Sequence, residues 1–206
     1  MFPACKFLTF LLFSKLAFCA DYQIEANIRY SQYPDTVLDI IQSPAPALKN
    51  RPGVIVIHGE GDKAGTVDKF CVPLAQHDFV VANVEYRGAE APPAALPPTA
   101  LNDVLEAAQW FHNHAARFKV DPDQILVLGE GSGGKLALML AMTPASAGLG
   151  PVTKIVAVIN FLGDGVQLTN TLKGSGSDAE LIRVPGEITK LWPQIFKWLK
   201  KRKIGA

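Results

Sequence analysis

The segment ILVLGEGSGGKLALMLAM, from Ile125 to Met142, contains the most informative structural pattern in the chain. It begins with a short apolar run, turns through four glycines within six residues, and continues as an apolar segment of helical length. The pattern predicts a buried strand, a tight turn and a helix. In α/β folds, the turn after the carboxyl end of a strand is where ligands bind, so this turn is the first candidate site.

Three motifs overlap in the turn. Gly129-x-Gly131-x-x-Gly134 is the pattern of a dinucleotide-binding loop, and Gly129-x-x-x-x-Gly134-Lys135 is a phosphate-binding loop without its final Ser or Thr. Gly129-x-x-x-Gly133 is the frame of a nucleophile elbow, the strand-to-helix turn that presents a catalytic serine. In that frame, Gly131 stands at the position of the nucleophile.

The two nucleotide-binding alternatives lack their partner groups. A dinucleotide site needs an acidic residue about 20 residues beyond the glycines, whereas the nearest candidate, Asp164, lies thirty residues beyond Gly134. A phosphate loop needs a hydroxyl after its lysine to hold magnesium, and Leu136 stands there. Nucleotide binding through Gly129 to Lys135 therefore remains the weaker alternative, and we expect no cofactor and no metal.

Apolar runs alternate with helical segments along the rest of the chain, which predicts crossover connections and parallel strands. The predicted strands are 54–58, 79–87, 125–129 and 154–161, and the helices between them are 66–78, 99–118 (with Thr99 as N-cap) and 134–142. An antiparallel pair, 23–31 and 36–44, precedes them, while strand 180–185 and amphipathic helix 191–203 end the chain. Residues 88–98, 121–124 and 162–179 are expected to be loops. The fold class is α/β, with a mixed, mainly parallel sheet and helices on both faces.

The composition indicates a globular core without a nucleic-acid partner. Hydrophobic residues make up 49% of the 206-residue chain, charged residues 19%, and the formal net charge is +1. One positive cluster, KWLKKRK at 197–203, is interpreted as the solvated end of a helix, favoured by the helix dipole.

The first twenty residues predict a signal peptide for export, because Lys6 precedes an apolar run that is too short to span a bilayer. A lipoprotein signal, with a lipid anchor at Cys19, is the alternative. Residues 21–206 then form one domain without a transmembrane segment. Its single cysteine, Cys71, cannot form an intrachain disulfide.

From about Ile28 to Leu168 the chain resembles exported esterases and lipases of the α/β-hydrolase fold, the group that includes acetyl-esterase-like and bacterial feruloyl-esterase-like proteins. Five landmarks occur in family order. The family's HGGGW, YRLAPEHPFPAAVEDV, DPDRI, GxSAGG and NWYGITD correspond here to HGEGD, YRGAEAPPAALPPTALNDV, DPDQI, GEGSGG and NFLGDGV. The resemblance implies a serine esterase with a small-molecule ester or carbohydrate-ester ligand.

The residues that carry the family's chemistry are the ones that differ. The nucleophile falls on Gly131, which has no side chain, and Ser132 beside it is interpreted as a helix-start residue that hydrogen-bonds backbone amides rather than as a displaced nucleophile. All four histidines precede Gly131, although the fold places its catalytic histidine after the nucleophile. Asp164 and Asp178 are the remaining candidate acids, and both are interpreted as loop residues.

Two further departures concern the loop after the first buried strand and the end of the sheet. The oxyanion loop corresponds to His58, Gly59, Glu60 and Gly61, where Glu60 replaces a family glycine. The segment 165–178 is too short for the strand and the acid-bearing loop that the family places there. We therefore expect the penultimate strand region to be missing, and the resulting sheet edge to permit self-association.

These observations predict an α/β-hydrolase-fold protein of an esterase lineage that has lost its catalytic triad, a pseudoenzyme. The alternative is a weakly active serine esterase that uses Ser132.

Overall fold

Four continuous apolar segments form the centre of the sheet, because their side chains are covered on both faces. The computed structural model describes residues 22–44, 50–59, 64, 68–87, 96–143, 155–162, 165–170 and 181–205. The strands are β1 (Gln23–Arg29), β2 (Val37–Gln42), β3 (Arg51–Ile57), β4 (Val80–Val84), β5 (Val120–Glu130), β6 (Ile155–Leu162), β7 (Gly165–Asn170) and β8 (Leu181–Pro185). The helices are α1 (Asp68–Gln76), α2 (Leu96–Asn113), α3 (Gly133–Met142) and α4 (Ile188–Lys201), with a short 3₁₀ helix at Ala115–Phe118.

The eight strands form one sheet in the order β1-β2-β4-β3-β5-β6-β7-β8. The central strands β4, β3, β5 and β6 are parallel to one another. Antiparallel strands flank them, with β1 and β2 on one side and β7 and β8 on the other. The predicted α/β-hydrolase-like mixed sheet with helices on both faces is therefore confirmed, and its parallel strands form the centre.

Two apolar layers enclose the sheet. On one face, α2 and α3 pack on alternate side chains of the central strands, including Ile55 and Val127, with Phe111 among the fully buried residues. On the other face, α1 and α4 cover the intervening side chains, including Val56 and Leu128. The alternation follows from strand geometry, since successive side chains point to opposite faces. Both layers leave the carboxyl ends of β3 to β6 at one edge, called the rim below.

Three sequence-based boundaries were wrong. Residues 165–170 form strand β7 rather than a loop, and β7 pairs with β6 in an antiparallel register that places Gly165 opposite Leu162. A parallel neighbour would need a crossover of about a dozen residues. Helix α2 begins at Leu96, three residues before the proposed cap Thr99, because prolines are tolerated in a first helical turn. Strand β5 begins at Val120 and so includes the segment 121–124 that was expected to be a connection.

No helix in the described parts of the chain is long and apolar enough to cross a membrane. The predicted signal peptide and Cys19 lie outside the described residues.

Candidate active site: an elbow without a nucleophile

The turn at the end of β5 has the backbone of a nucleophile elbow. Gly131 has a φ of +55°, a left-handed conformation that favours glycine. Its N–H donates to the carbonyl of Phe161 in β6 at 3.0 Å, and its own carbonyl accepts from the N–H of Gly134 at 3.2 Å. Helix α3 begins two residues later, at Gly133. The turn is therefore fixed to the neighbouring strand on one side and to the helix on the other.

Three glycines of this turn have no room for a side chain. A Cβ on Gly129 would overlap the backbone of Gly133, and a Cβ on Gly133 would overlap the carbonyl of His58 at the end of β3. A Cβ on Gly134 would overlap the side-chain amide of Asn160 in β6. These contacts explain the glycine-rich pattern as close packing of α3 against three strands.

Gly131 is the exception among the four. A Cβ built on it meets no atom within 4 Å, and the residue is exposed. A serine would therefore fit at the nucleophile position, at the cost of the left-handed backbone. The elbow holds the geometry for a nucleophile and lacks the side chain.

Ser132 does not have the role expected from the sequence. It has helical backbone angles (φ −68°, ψ −28°) and makes no side-chain capping hydrogen bond. Its carbonyl accepts from the N–H of Lys135 at 3.0 Å, as in a first helical turn. The interpretation of Ser132 as a residue whose hydroxyl bonds the first amides of the helix was wrong; the helix continues through its backbone.

Glu130, which precedes Gly131, forms an ion pair with Lys69 in α1. Its Oε1 accepts from Nζ of Lys69 in α1 at 2.6 Å, and the carboxylate is about three-quarters covered. The sequence contains no signal for this role of Lys69, because no spacing links Lys69 to the turn. The pair joins α1 to the end of β5.

His58, predicted in the oxyanion loop, is buried at the end of β3 with 2% of its side chain exposed. Its ring stacks on Tyr86 with 4.4 Å between centroids, and the Tyr86 hydroxyl donates to the His58 carbonyl at 2.9 Å. Nδ1 lies 2.8 Å from the Gly59 carbonyl and Nε2 lies 3.5 Å from Oε1 of Glu85. Because a carbonyl oxygen only accepts, Nδ1 carries a proton. His58 is therefore held by Glu85 and Tyr86, the two residues that follow β4.

The far end of the same loop is also held by β4. The N–H of Ala64 donates to Oε2 of Glu85 at 2.8 Å, and Nδ2 of Asn83 donates to the Ala64 carbonyl at 2.8 Å. Residues at the end of β4 thus position both ends of the loop that leaves β3. Glu60 and Gly61, between those ends, lie outside the described residues, as do Asp164 and Asp178.

Arg87, three residues after β4, forms a bidentate ion pair with Asp103 in α2. Nε and NH2 of Arg87 donate to the two carboxylate oxygens of Asp103 at 2.9 and 2.6 Å, and the Arg87 N–H donates to the same carboxylate at 3.0 Å. The hydrogen bond to Asp103 raises the pKa of Arg87, and the guanidinium stacks 3.6 Å above the ring of Tyr33. Asp103 is fully buried. Both residues fall in the YR…ND landmark, whose role the sequence alone did not reveal.

Two of the other histidines stack on aromatic rings. His77 stacks on Phe196 at 3.7 Å between centroids, and His114 stacks on Trp110 at 4.1 Å. His112 lies within α2. Within the described ranges, no cluster of three or more His, Cys, Asp or Glu side chains could hold a metal ion.

Comparison with known proteins agrees with this geometry. Among solved structures, a bacterial heroin esterase is 30% identical and superimposes with a TM-score of 0.53, covering 64% of this chain and 41% of its own. Esterase B from Lactobacillus rhamnosis has a TM-score of 0.59 at 21% identity, with 68% and 48% covered, and so shows the shared fold.

Curated relatives have the same kinds of name. Lipase 2 from Moraxella sp. is 36% identical over 92 residues, which is 43% of this chain and 21% of that protein. The probable carboxylic ester hydrolase LipM from Mycobacterium tuberculosis is 28% identical over 156 residues, 69% of this chain and 35% of that protein. The chain thus spans about a fifth to a third of the length of these two relatives.

The resemblance to α/β-hydrolase esterases and lipases is therefore confirmed. The sequence profile of the BD-FAE family matches residues 38–170, from β2 to the end of β7. This range includes the elbow, the His58 loop and the Arg87–Asp103 pair. The chain belongs to the BD-FAE family.

Proposed function

We propose that this chain is a member of an esterase family that does not hydrolyse esters and retains the elbow as part of a ligand-binding rim. The observation that carries the proposal is Gly131. It holds the backbone conformation of the nucleophile position, has open space around its Cα, and provides no group that could attack a carbonyl carbon. The ligand class that the family resemblance suggests is a small-molecule ester or carbohydrate ester.

The position of the histidines supports the same proposal. No histidine occurs between Gly131 and Ala206, and His58 is held by Gly59, Tyr86 and Glu85. A serine nucleophile needs a histidine within hydrogen-bond reach to accept its proton. Within residues 1–206, no histidine that follows position 131 is available as the base for a serine placed there.

Hydrolysis of p-nitrophenyl acetate by the purified chain tests the proposal. We expect wild type, Ser132→Ala and Gly131→Ser to give the same rate as buffer, and no labelling of wild type by a fluorophosphonate probe. A wild-type rate well above buffer that is lost in Ser132→Ala would refute the proposal. Strong labelling of Gly131→Ser alone would show that a base is present after all.

A weak esterase that uses Ser132 is the second candidate. It is favoured by one observation: Ser132 is adjacent to position 131 in the turn and is not fully buried. Only an activated serine reacts with a fluorophosphonate, so labelling of wild type that disappears in Ser132→Ala would establish this candidate. Nucleotide binding through Gly129 to Lys135 predicts instead a thermal shift with NAD, FAD or ATP, and we expect none.

Export is also proposed, with residues 1–20 as a signal peptide and lipidation of Cys19 as the alternative anchor. Expression of the full chain with a C-terminal tag, followed by fractionation and mass measurement, distinguishes the outcomes. A cleaved, soluble exported form supports the signal peptide, and a diacylglyceryl modification at Cys19 supports the anchor. Retention of residues 1–20 in the cytoplasm contradicts both.

Self-association is proposed through a terminal strand of the sheet. In the described part of the chain, β1 and β8 each pair with a single neighbouring strand, and such an edge can pair with another chain. We expect light scattering to show oligomers, or unfolding at a low temperature. A sharp monomer that unfolds cooperatively above about 65 °C, the top of the usual mesophile range, would contradict this.

A further inference from the structure

Helix α4 has one apolar side and one basic side. Its apolar side chains Leu191, Trp192, Ile195, Trp198 and Leu199 are buried against the sheet. At 100° per residue, Lys190, Lys197 and Lys201 follow one line along the opposite side of the helix. Together with Lys200 and with Lys203 just beyond the helix, they form a surface that we call the α4 basic face; all five lysines are exposed.

The charge of the whole chain is unevenly distributed. Six basic residues and no acidic residue occur in 188–206. The 20 basic and 19 acidic residues of the chain therefore leave 14 basic and 19 acidic in 1–187, so a terminal segment of +6 is attached to a remainder of −5. The net charge of +1 therefore does not reflect how unevenly the charged residues are distributed along the chain.

Most of the basic face has no counter-charge of its own. Lys190 pairs with Glu187 at 2.8 Å. Lys197, Lys200, Lys201 and Lys203 form no ion pair with any described residue. Arg202 interacts with Trp198 instead: its guanidinium lies 4.2 Å from the Trp198 ring and donates a hydrogen bond to the Trp198 carbonyl. Four ammonium groups are therefore available to an external anionic partner.

We propose that the α4 basic face binds electrostatically to the surface of a bilayer containing anionic phospholipids. A row of lysines about 16 Å long, at 1.5 Å per residue over eleven residues, matches a flat surface of diffuse negative charge. Lysine is a point charge, whereas the fork of arginine is better suited to recognition of individual phosphates and bases. The large exposed apolar residues that the structure describes, Ile24, Tyr33, Met139 and Met142, are all outside α4, so the contact lies at the headgroups.

Sedimentation of the full chain with vesicles tests this proposal. We expect binding to vesicles of phosphatidylglycerol and phosphatidylcholine, and none to phosphatidylcholine alone. Each lysine near an anionic surface contributes about fivefold to binding. Lys197→Glu with Lys201→Glu should therefore weaken the partition coefficient at least about tenfold. Raising the salt from about 0.1 M toward 1 M, where the Debye length falls from about 10 to about 3 Å, should release the wild type.

Arg29→Glu with Lys135→Glu is the matched control, because it makes the same charge change at exposed positions on β1 and α3. The proposal predicts a much smaller loss in this control. Equal losses in the two double variants, binding that resists salt, or no binding to anionic vesicles would overturn it. So would tighter binding to a DNA duplex than to the vesicles at the same salt concentration. Lys197→Gln with Lys201→Gln repeats the test should the glutamate variant not fold. No residue of the basic face belongs to the elbow, so the outcome is independent of whether the chain hydrolyses esters.

Discussion

The elbow and the strands after β6 differ in how far they depart from an esterase. At the elbow, the position that the family resemblance assigns to the nucleophile is Gly131, which has no side chain but has a left-handed backbone and a hydrogen bond to Phe161. After β6, the sheet continues with antiparallel β7 and then β8, where the family resemblance implies a longer segment with the acid. One region has the shape of the family's turn without a side chain at position 131, whereas the other has a different strand arrangement.

The number of packed neighbours explains this difference. The elbow is enclosed by the end of β3, by β6 and by α3, and its glycines contact all three. A change in its backbone would disturb the centre of the sheet, because close-packed interiors relax only partially. Strands at the end of a sheet have fewer such constraints. Packing therefore holds the conformation of this turn without a side chain at position 131.

The largest effect is expected from a methyl group on Gly133. Gly133→Ala places a Cβ against the His58 carbonyl, which is backbone and cannot rotate away, so we expect a loss of about 3 kcal/mol or failure to fold. Gly131→Ala is the matched control; its Cβ meets open space, and only the left-handed backbone costs about 1–2 kcal/mol. Urea unfolding followed by circular dichroism measures both. Equal losses would show that the elbow is not held by its packing.

The next largest effect concerns the arginine fork at the rim end of β4. Arg87→Met removes the partner of Asp103, which is fully buried, while Arg87 itself is 30% exposed. Breaking a fully buried pair costs about 3–5 kcal/mol, and the partial exposure of Arg87 reduces this to about 2 kcal/mol. Arg87→Lys keeps the charge without the fork and should recover part of the loss. A stability change in Arg87→Met below the error of the urea midpoint would contradict the assigned role.

Replacing one buried valine in each region with alanine compares how tightly the two regions are packed. Val127 in β5 and Val166 in β7 are both fully buried, each between two neighbouring strands. We expect Val127→Ala to cost about 2 kcal/mol and Val166→Ala about 1 kcal/mol, because the end of the sheet collapses more readily around the lost volume. Unfolding in urea gives the two values. A larger loss for Val166→Ala would mean that β7 and β8 are as tightly packed as the centre.

Sequence patterns predicted the central fold well, for a physical reason. Runs such as VIVI and ILVL are covered on both faces and leave strong signals, and the glycines of the elbow reflect contacts that only glycine permits. The lack of a side chain at the nucleophile position was also predicted, because the spacing of Gly129 and Gly133 assigns that position to Gly131.

Other features depend on contacts that sequence spacing does not encode. Strand β7 was missed because GVQLTN is short and largely polar, so it lacks the continuous apolar run that marks the central strands. The pairing of Lys69 with Glu130 joins residues 61 positions apart. Serine is a favoured N-cap residue. Ser132 nevertheless makes no side-chain capping hydrogen bond, because its backbone is already helical.

The smallest effect is expected from a substitution at Tyr30, the residue that follows β1. Its hydroxyl donates to the carbonyl of Glu85 at 2.8 Å, so Tyr30→Phe should cost about 1 kcal/mol near neutral pH. Burial, followed by the nearby carboxylates of Asp103 and Glu106, raises the pKa of Tyr30. A tyrosine whose pKa is raised by folding stabilises the protein fully below its unfolded value of about 10, and that stability is lost as the pH rises further. Other tyrosines and lysines titrate in both proteins alike, so the difference between wild type and Tyr30→Phe isolates this residue. The gap between their urea midpoints should narrow above about pH 10; a gap that stays constant or widens there would mean that the hydroxyl is not buried against β4.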